Sequence, residues 1–342
     1  MSSRFIITIT PELEKSAFLE LRRVAPDLEK IQQFQNGAIL VETHVAQFAS
    51  ALGRQDPIFI KHIHPVDAVV SLTGKRSADL PLLLAATQSA GGIAPGEHFS
   101  VQCRHVATGH DYVSKDVEVS LGSFFESAGS IPVFSDDKVE ADRSQRVLSI
   151  YIFQERGYVG LSTIRDNLNE HSDEYRVFSR HARRVSRAEF KLREALRKFG
   201  INLKGGRALD LGAAPGGWTL VLAEAGMQVV AVDPAALSPL VTALPNVTHF
   251  KGKSEDYHDD GAFDLIVDDM NVEPEASARI LVSQAHLLKR GSYAILTCKF
   301  VIRNTSRLLE NIRWTLEEEY EILRIKNLFH NRMEVTLLLR RK

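Results

Sequence analysis

A glycine-rich turn is the first part of the sequence whose residue types could support chemistry. The segment "ALDLGAAPGGWTLVLAEAGMQVVAVD", residues 208–233, predicts an apolar strand, a turn, a helix and a second strand closed by Asp233. Such a turn at the carboxyl edge of a parallel sheet can bind a nucleoside-type ligand, and an acid about 20 residues later can accept hydrogen bonds from ribose hydroxyls. The spacing Gly212-x-Ala214-x-x-Gly217 also fits a dinucleotide, and a turn that only packs a helix on a strand is a third interpretation.

Two lysines come from segments that could converge on this turn. "VSRAEFKLREALRKF" begins with Ser186 and Glu189 at capping-box spacing, and Lys191 lies at the margin of its apolar stripe. Lys299 follows the apolar run "YAILTC", where a charge is costly unless it is paired. The alternative for Lys191 is a stem that covers the edge of the core while its amine reaches water.

Two carboxylates could join these lysines. "FDLIVDDM" ends a buried strand in Asp268 and Asp269, and strand alternation points one of the pair to each face. Glu334 begins the last strand and reaches the same edge if the tail hairpin is antiparallel; by itself it would be interpreted as a surface residue. Alkylation of a hydroxyl needs help with proton removal, whereas hydride transfer needs little from paired lysines. The combination of two lysines and two carboxylates near the turn therefore favours a methyl donor over a nicotinamide dinucleotide as its ligand.

In this order, "SRAEFKL", "DLGAAPGGWT", "DDM", "TCKF" and "NRMEVTLLLRR" resemble the FtsJ-like (RrmJ) RNA ribose 2′-O-methyltransferases, and the pattern is closest to the RlmM type with an N-terminal THUMP domain. The resemblance implies a Lys-Asp-Lys-Glu tetrad at Lys191, Asp269, Lys299 and Glu334, with Lys299 as the base. It implies 2′-O-methylation of a ribose in 23S ribosomal RNA. Transfer RNA or another RNA is the alternative substrate, and a non-catalytic RNA-binding protein and an NAD-dependent oxidoreductase are remoter alternatives.

The cofactor implied by the resemblance is S-adenosyl-L-methionine, and no metal is expected. Relatives carry an acid after the third strand to meet the adenine; in "HFKGKSEDYHDD" Asp256 is the acid that could substitute for it. The expected cofactor-binding residues are those of the turn together with acids at the same edge, namely Asp210, Gly212, Ala213, Ala214, Pro215, Gly216, Gly217, Trp218, Asp233, Asp256 and Asp269.

A basic segment lies between the two halves of the chain. Seven cations stand between residues 176 and 193, and we expect Arg176, Arg180, Arg183, Arg184 and Arg187 to bind RNA phosphates. Phe190, placed opposite the apolar stripe, could stack a base. The alternative is a solvated linker with Phe190 packed on the N-terminal half.

The periodicity of the whole chain predicts an α/β protein. Near-continuous apolar strands in a βαβ order indicate a buried parallel sheet with an antiparallel last strand, and the resemblance implies that this is a Rossmann-like class I methyltransferase sheet. The half that precedes it has an α+β pattern whose alternating strands suggest antiparallel pairing. Its stretches "FSVQCRHVATGHDYVSKDVEVSLGSFF" and "ERGYVGLST" resemble the ferredoxin-like plus THUMP-like arrangement of RlmM-type enzymes. The expected boundaries are residues 1–70 for the ferredoxin-like unit, 71–167 for the THUMP-like RNA-binding domain, 168–185 for the basic linker and 186–342 for the methyltransferase domain.

Composition sets limits on this interpretation. The 342 residues are 44% hydrophobic and carry a formal net charge of −1, so RNA binding must depend on local patches. The two cysteines suggest no disulfide framework, and neither a leader nor a long apolar run is evident. We therefore expect a cytoplasmic monomer that binds RNA and no membrane.

Overall fold

The computed structural model describes residues 2–133, 145–168, 185–300 and 305–342. The chain divides into two compact units, Met1–Val177 and Phe178–Lys342. Across the described ranges, no helix combines the length and the apolar character that crossing a membrane would require.

The first unit begins with a four-stranded antiparallel sheet. Its elements are β1 (Ser3–Ile9), α1 (Glu14–Val24), β2 (Glu29–Gln33), β3 (Ala38–Thr43), α2 (Phe48–Arg54) and β4 (Ile60–Pro65). The strand order is β2-β3-β1-β4, and each neighbouring pair is antiparallel. This β-α-β-β-α-β arrangement is that of ferredoxin-like units.

A five-stranded sheet follows in the same unit. Its elements are β5 (Ala68–Ser71), α3 (Arg76–Ser89), β6 (His98–His105), α4 (Ser114–Ser127), β7 (Ile131–Pro132), β8 (Arg146–Phe153), β9 (Arg156–Thr163) and α5 (Ile164–Asn167). The order is β5-β9-β8-β6-β7, and β6 runs parallel to β7 and β8. The expectation of antiparallel pairing is wrong at β6, because a connection that contains a helix is long enough to return the chain in the same direction.

The two sheets of this unit share a core. Ile6 of the first sheet clusters with Tyr151 and Tyr158 of the second. Polar contacts also cross between the sheets: a ring nitrogen of His62 lies 3.1 Å from the Gln102 side-chain oxygen. The predicted segments 1–70 and 71–167 therefore fall within one compact unit.

The second unit contains a seven-stranded sheet. Its strands are β10 (Arg207–Leu211), β11 (Gln228–Val232), β12 (Val247–Phe250), β13 (Phe263–Asp268), β14 (Leu288–Lys299), β15 (Tyr320–Lys326) and β16 (Glu334–Arg341). Its helices are α6 (Ala188–Phe199), α7 (Gly217–Glu224), α8 (Pro239–Thr242), α9 (Pro274–Ser283) and α10 (Thr305–Leu316).

The strand order in the second unit is β12-β11-β10-β13-β14-β16-β15. The first five are parallel, whereas β16 is antiparallel to β14 and β15. The central strands are apolar because both faces are covered, and Leu209, Ile266 and Ile295 are fully buried. The expected Rossmann-like sheet with an antiparallel final strand is confirmed, and it brings the carboxyl ends of β10, β11, β13 and β14 to one edge.

Candidate active site

The structure brings together the four residues of the expected tetrad. Lys191 Nζ lies 2.8 Å from Glu334 Oε1 and 3.4 Å from each carboxylate oxygen of Asp269. Lys299 Nζ lies 3.8 Å from Asp269 Oδ1. The side chains are largely buried, with exposed fractions from 8% for Glu334 to 28% for Lys299, and the two lysines are the most exposed members.

Secondary structure explains why these four residues meet. Lys191 belongs to α6, whose Leu192 and Ala195 are fully buried, so its amine is directed along the edge of the core. Asp269 directly follows β13. Lys299 ends β14 and is the antiparallel partner of Glu334, the first residue of β16. Because the final strand runs in the opposite direction, its first residue, Glu334, lies at the edge where the parallel strands end. A carboxylate from the start of one strand therefore joins side chains from the ends of the others.

Lys191 is held as a cation between two carboxylates. Burial alone would lower the pKa of Lys191, but the charges of Asp269 and Glu334 raise it above its ordinary value. Burial raises the pKa of Asp269, and the charges of Lys191 and Lys299 oppose that rise. The arrangement stabilises an ammonium at position 191.

Lys299 has a different environment. Its amine donates hydrogen bonds to the carbonyl oxygens of Asp269, at 3.2 Å, and of Met270, at 3.1 Å. A neutral amine has two N–H donors and one lone pair, so two carbonyl acceptors can hold both donors and leave the lone pair directed elsewhere. This geometry can support a base at Lys299, and the Met270 carbonyl was not foreseen from the sequence.

The two adjacent aspartates point in opposite directions. Asp268 is fully buried and accepts hydrogen bonds from the Ser277 hydroxyl, at 2.8 Å, and from the Met270 amide, at 2.9 Å. Burial raises its pKa to about 7. Strand alternation therefore leaves Asp269 as the member of the pair that joins the lysines.

Asp210 lies inside the unit, at the end of β10. Its carboxylate accepts a 2.6 Å hydrogen bond from the Thr219 hydroxyl on the helix after the turn. Burial raises the pKa of Asp210 to about 7; the hydrogen bond from Thr219 opposes this rise and the charges of Asp269 and Asp268 add to it. Asp210 thus fixes α7 to β10 beneath the turn.

Close contacts within the protein require glycine at three positions of the turn. Gly212 and Gly216 have φ angles of +73° and +110°, which favour glycine. A Cβ at Gly212 would lie 2.5 Å from Met270 Cγ, one at Gly216 would lie 2.8 Å from a Val241 methyl carbon, and one at Gly217 would collide with the Ser186 hydroxyl. Close packing within the unit therefore requires glycine at these positions, and their role in binding the cofactor stays a prediction.

Other residues of the expected cofactor site divide into buried and accessible ones. Ala213 and Trp218 are buried in the core, and the Trp218 indole N–H donates to the Ala188 carbonyl at 2.8 Å. Ala214 is half-buried and Pro215 is exposed. Trp218 thus joins α7 to α6 from within the core.

Two acids lie at the accessible edge. The half-buried Asp233 accepts hydrogen bonds from the amides of Ala214, at 3.0 Å, and Ala235, at 2.7 Å. Each carboxylate oxygen can accept a further bond. Asp256 is exposed in the short turn Ser254–Asp256 after β12.

A loop missed by the sequence analysis supports Glu334. Residues 327–333, the Glu334 loop, join β15 to β16, and Asn331 Nδ2 lies 3.4 Å from Glu334 Oε1. Buried Glu194, one turn after Lys191 on α6, accepts hydrogen bonds from the amides of Phe329, at 2.6 Å, and His330, at 2.9 Å. The sequence feature that could have indicated this support is an acid three residues after Lys191 on an amphipathic helix.

The expected RNA-binding residues lie mostly outside the described residues. This applies to Arg176, Arg180, Arg183 and Arg184, whereas Arg187 is described and exposed. Phe190 is 6% exposed, and its ring centroid lies 5.4 Å from that of His330. The idea that Phe190 stacks an RNA base is wrong, because the Glu334 loop covers it.

The second unit is similar to known methyltransferases. Residues 184–324 match the family model described as FtsJ-like methyltransferase. Relatives named "Ribosomal RNA large subunit methyltransferase M" include those of Thauera aminoaromatica, 33% identical over 167 residues, and Halorhodospira halophila, 33% identical over 163 residues. The matches cover 47% and 46% of this chain and 45% and 47% of those relatives, so the chain spans about half of their length. These matches confirm the resemblance to FtsJ-like methyltransferases.

Solved structures also show similarity. TrmN from Thermus thermophilus has a TM-score of 0.39 and 16% identity, with all of both chains covered. A ribosomal RNA methyltransferase from Plasmodium falciparum has a TM-score of 0.36 and 20% identity, with 46% of this chain and 97% of the other covered.

Proposed function

We propose that this chain, whose residues 184–324 form an FtsJ-like methyltransferase domain, methylates a ribose 2′-hydroxyl in large-subunit ribosomal RNA. The observation that carries the proposal is the hydrogen-bonded cluster of Lys191, Asp269, Lys299 and Glu334 at the carboxyl edge of the sheet. The names of the relatives support ribosomal RNA as the substrate.

The residues at this edge fit S-adenosyl-L-methionine. When bound, this cofactor supplies an electrophilic methyl group on a sulfonium. Asp233, with spare acceptor capacity on a half-buried carboxylate, suits ribose hydroxyls. The negative charge of Asp269 at the same edge suits a cationic ligand. We assign the adenine end to the accessible turn that carries Asp256.

The tetrad would divide the remaining work between its members. Lys299 Nζ, with two carbonyl oxygens near its amine protons, accepts the hydroxyl proton as the ribose oxygen gains the methyl group. Lys191, fixed as an ammonium by Asp269 and Glu334, positions the carboxylates and the hydroxyl. Fixing the reacting groups in this way can account for about 7 to 11 kcal/mol of the barrier.

RNA would be bound by cations around this edge. Arg187 is exposed at the start of α6, and the arginines at 176, 180, 183 and 184 extend the same basic segment of the sequence. We assign a second RNA-binding surface to the first unit, as a THUMP-like domain would provide. Phosphate contacts of this kind weaken steeply as salt rises.

The test uses the full chain, tritium-labelled S-adenosylmethionine and total RNA from cells that lack this methyltransferase. Label is expected in large-subunit ribosomal RNA, at one nucleotide that becomes resistant to alkaline cleavage because its 2′-oxygen is blocked. Label confined to transfer RNA would overturn the ribosomal substrate. Absence of label from every RNA fraction would reject the function itself.

A further inference from the structure

Phe329 presents an aromatic ring beside the candidate active site. Its side chain is 39% exposed, whereas the preceding Leu328 is 3% exposed and belongs to the core of the second unit. The Phe329 and His330 rings meet nearly at a right angle, with an interplanar angle of 81° and centroids 5.4 Å apart. This packing leaves part of the ring available to solvent.

The backbone that carries Phe329 is held firmly. Both carboxylate oxygens of Glu194 accept hydrogen bonds from consecutive amides, those of Phe329 and His330, and the His330 ring Nδ1 lies 2.8 Å from Glu194. Asn331 Oδ1 accepts from the Leu328 amide at 2.8 Å and from the Thr336 hydroxyl at 3.1 Å. The ring is therefore presented by an ordered loop, which lowers the entropy cost of stacking a ligand on it.

The same hydrogen bonds place the loop that carries this ring beside the tetrad. Glu194 lies one helical turn after Lys191, and Asn331 contacts Glu334 at 3.4 Å. Lys191 and Lys299 are the more exposed members of the tetrad, with side chains 18% and 28% exposed. Phe329 therefore lies on the hydrogen-bonded loop that leads directly into the tetrad residue Glu334.

We propose that Phe329 stacks on the nucleobase of the nucleotide that is methylated. The inference rests on the proposed function, and it adds the residue that binds the base. The tetrad can hold only the 2′-hydroxyl, which all four nucleotides share, so orienting the ribose requires a contact with another part of the nucleotide. An aromatic face supplies this contact for any base, and the exposed Arg332 on the same loop suits a neighbouring phosphate.

The first experiment compares substitutions at Phe329 in the full chain, with in vitro transcribed large-subunit ribosomal RNA as substrate. Phe329→Ala and Phe329→Leu are expected to lower kcat/KM by about 10-fold to 100-fold, whereas Phe329→Trp retains activity because stacking is preserved. Binding of S-adenosylhomocysteine should be unchanged in all three. Equal activity of Phe329→Leu and Phe329→Trp would overturn the proposal, since apolar packing alone would then suffice.

Trp314 provides a matched control. It is an aromatic residue that is 76% exposed near the end of α10, and the chain then enters β15 from the edge opposite the tetrad. Trp314→Ala should leave kcat/KM unchanged. A loss equal to that of Phe329→Ala would contradict a role specific to the site.

The second experiment removes the base from the RNA. The transcript is rebuilt by ligation with an abasic ribonucleotide at the mapped position, which retains the 2′-hydroxyl. On this substrate the wild type and Phe329→Ala should react at the same reduced rate, because the stacking partner is gone. If Phe329→Ala lowers the rate on the abasic RNA by the same factor as on intact RNA, the stacking proposal is wrong. A wild type inactive on intact RNA would instead reject the proposed function and the inference with it.

Discussion

The two lysines of the tetrad differ in the oxygen atoms around them. Lys191 lies between two carboxylates, and Lys299 contacts two backbone carbonyls with a more distant carboxylate. A carboxylate stabilises an ammonium more strongly than a carbonyl does. Position 191 therefore suits a permanent cation, and the proposed base is the lysine whose amine contacts two carbonyl oxygens.

Lys299→Ala tests the assignment of Lys299 as the base. We expect single-turnover methyl transfer to fall at least about 100-fold, the usual effect of losing a general base. Binding of S-adenosylhomocysteine, measured by titration calorimetry, should be retained. As a control, Lys289→Ala removes a half-exposed lysine at the start of β14 that pairs with Asp264, and it should leave the rate unchanged. A near wild-type rate for Lys299→Ala would refute the base.

Lys191→Met tests the assignment of Lys191 as a permanent cation, through the free energy of unfolding. Removing the ammonium leaves Asp269 and Glu334 close together without their shared counter-ion, so the free energy of unfolding at pH 7 should fall by about 3 kcal/mol. Urea unfolding measures this value. Adding Glu334→Gln to Lys191→Met should restore part of the loss, and a double variant less stable than the single one would contradict the proposed charge balance.

At the scale of elements, two buried histidines lie between the sheets of the first unit. His62 and His64 on β4 are 3% and 2% exposed. Burial and the nearby Arg104 charge lower the pKa of His64 to about 3 and that of His62 well below its ordinary value. Both histidines are therefore neutral in the folded state near pH 7.

This neutrality predicts acid sensitivity of the first unit. Unfolded histidine binds a proton below its ordinary pKa of about 6.5, so stability present above pH 6.5 is lost as the pH falls toward the folded values. For each histidine, the free energy of unfolding should fall by about 2 kcal/mol between pH 6.5 and 5. Urea unfolding of His64→Gln should show a shallower pH dependence, whereas exposed His98→Gln should match the wild type. An identical pH dependence of the free energy of unfolding for all three proteins would contradict this account.

Local patterns predicted the elements of the second unit better than the pairing in the first. Apolar strands such as "YAILTC" and the antiparallel tail placed Lys299 and Glu334 at one edge, since parallel order and strand direction follow from the sequence of elements. The parallel pairing of β6 with β8 could not be predicted, because alternation specifies which face is buried and not which neighbour pairs. The support from Glu194 and the Met270 carbonyl also depends on tertiary packing, for which a single sequence holds no periodic signal.

At the scale of the whole molecule, the two units have separate cores. S-adenosylhomocysteine should bind only the second unit, so at about 100 times its Kd it should stabilise that unit by about 2.7 kcal/mol. Scanning calorimetry should then show one transition raised by roughly 5 to 10 °C and the other unchanged. Lowering the pH should move the unchanged transition downward, because it contains His62 and His64. A single transition raised as a whole would show that the units unfold together.

The central claim is that the tetrad directs a methyl group to a ribose oxygen of RNA. It is tested most directly by mass spectrometry of nucleosides from large-subunit ribosomal RNA that has reacted with the wild type or with Lys299→Ala and deuterated S-adenosylmethionine. The account predicts a deuterated methyl group on the ribose of one nucleoside with the wild type and almost none with Lys299→Ala. A methyl group on a base, or equal ribose methylation by both proteins, would contradict it.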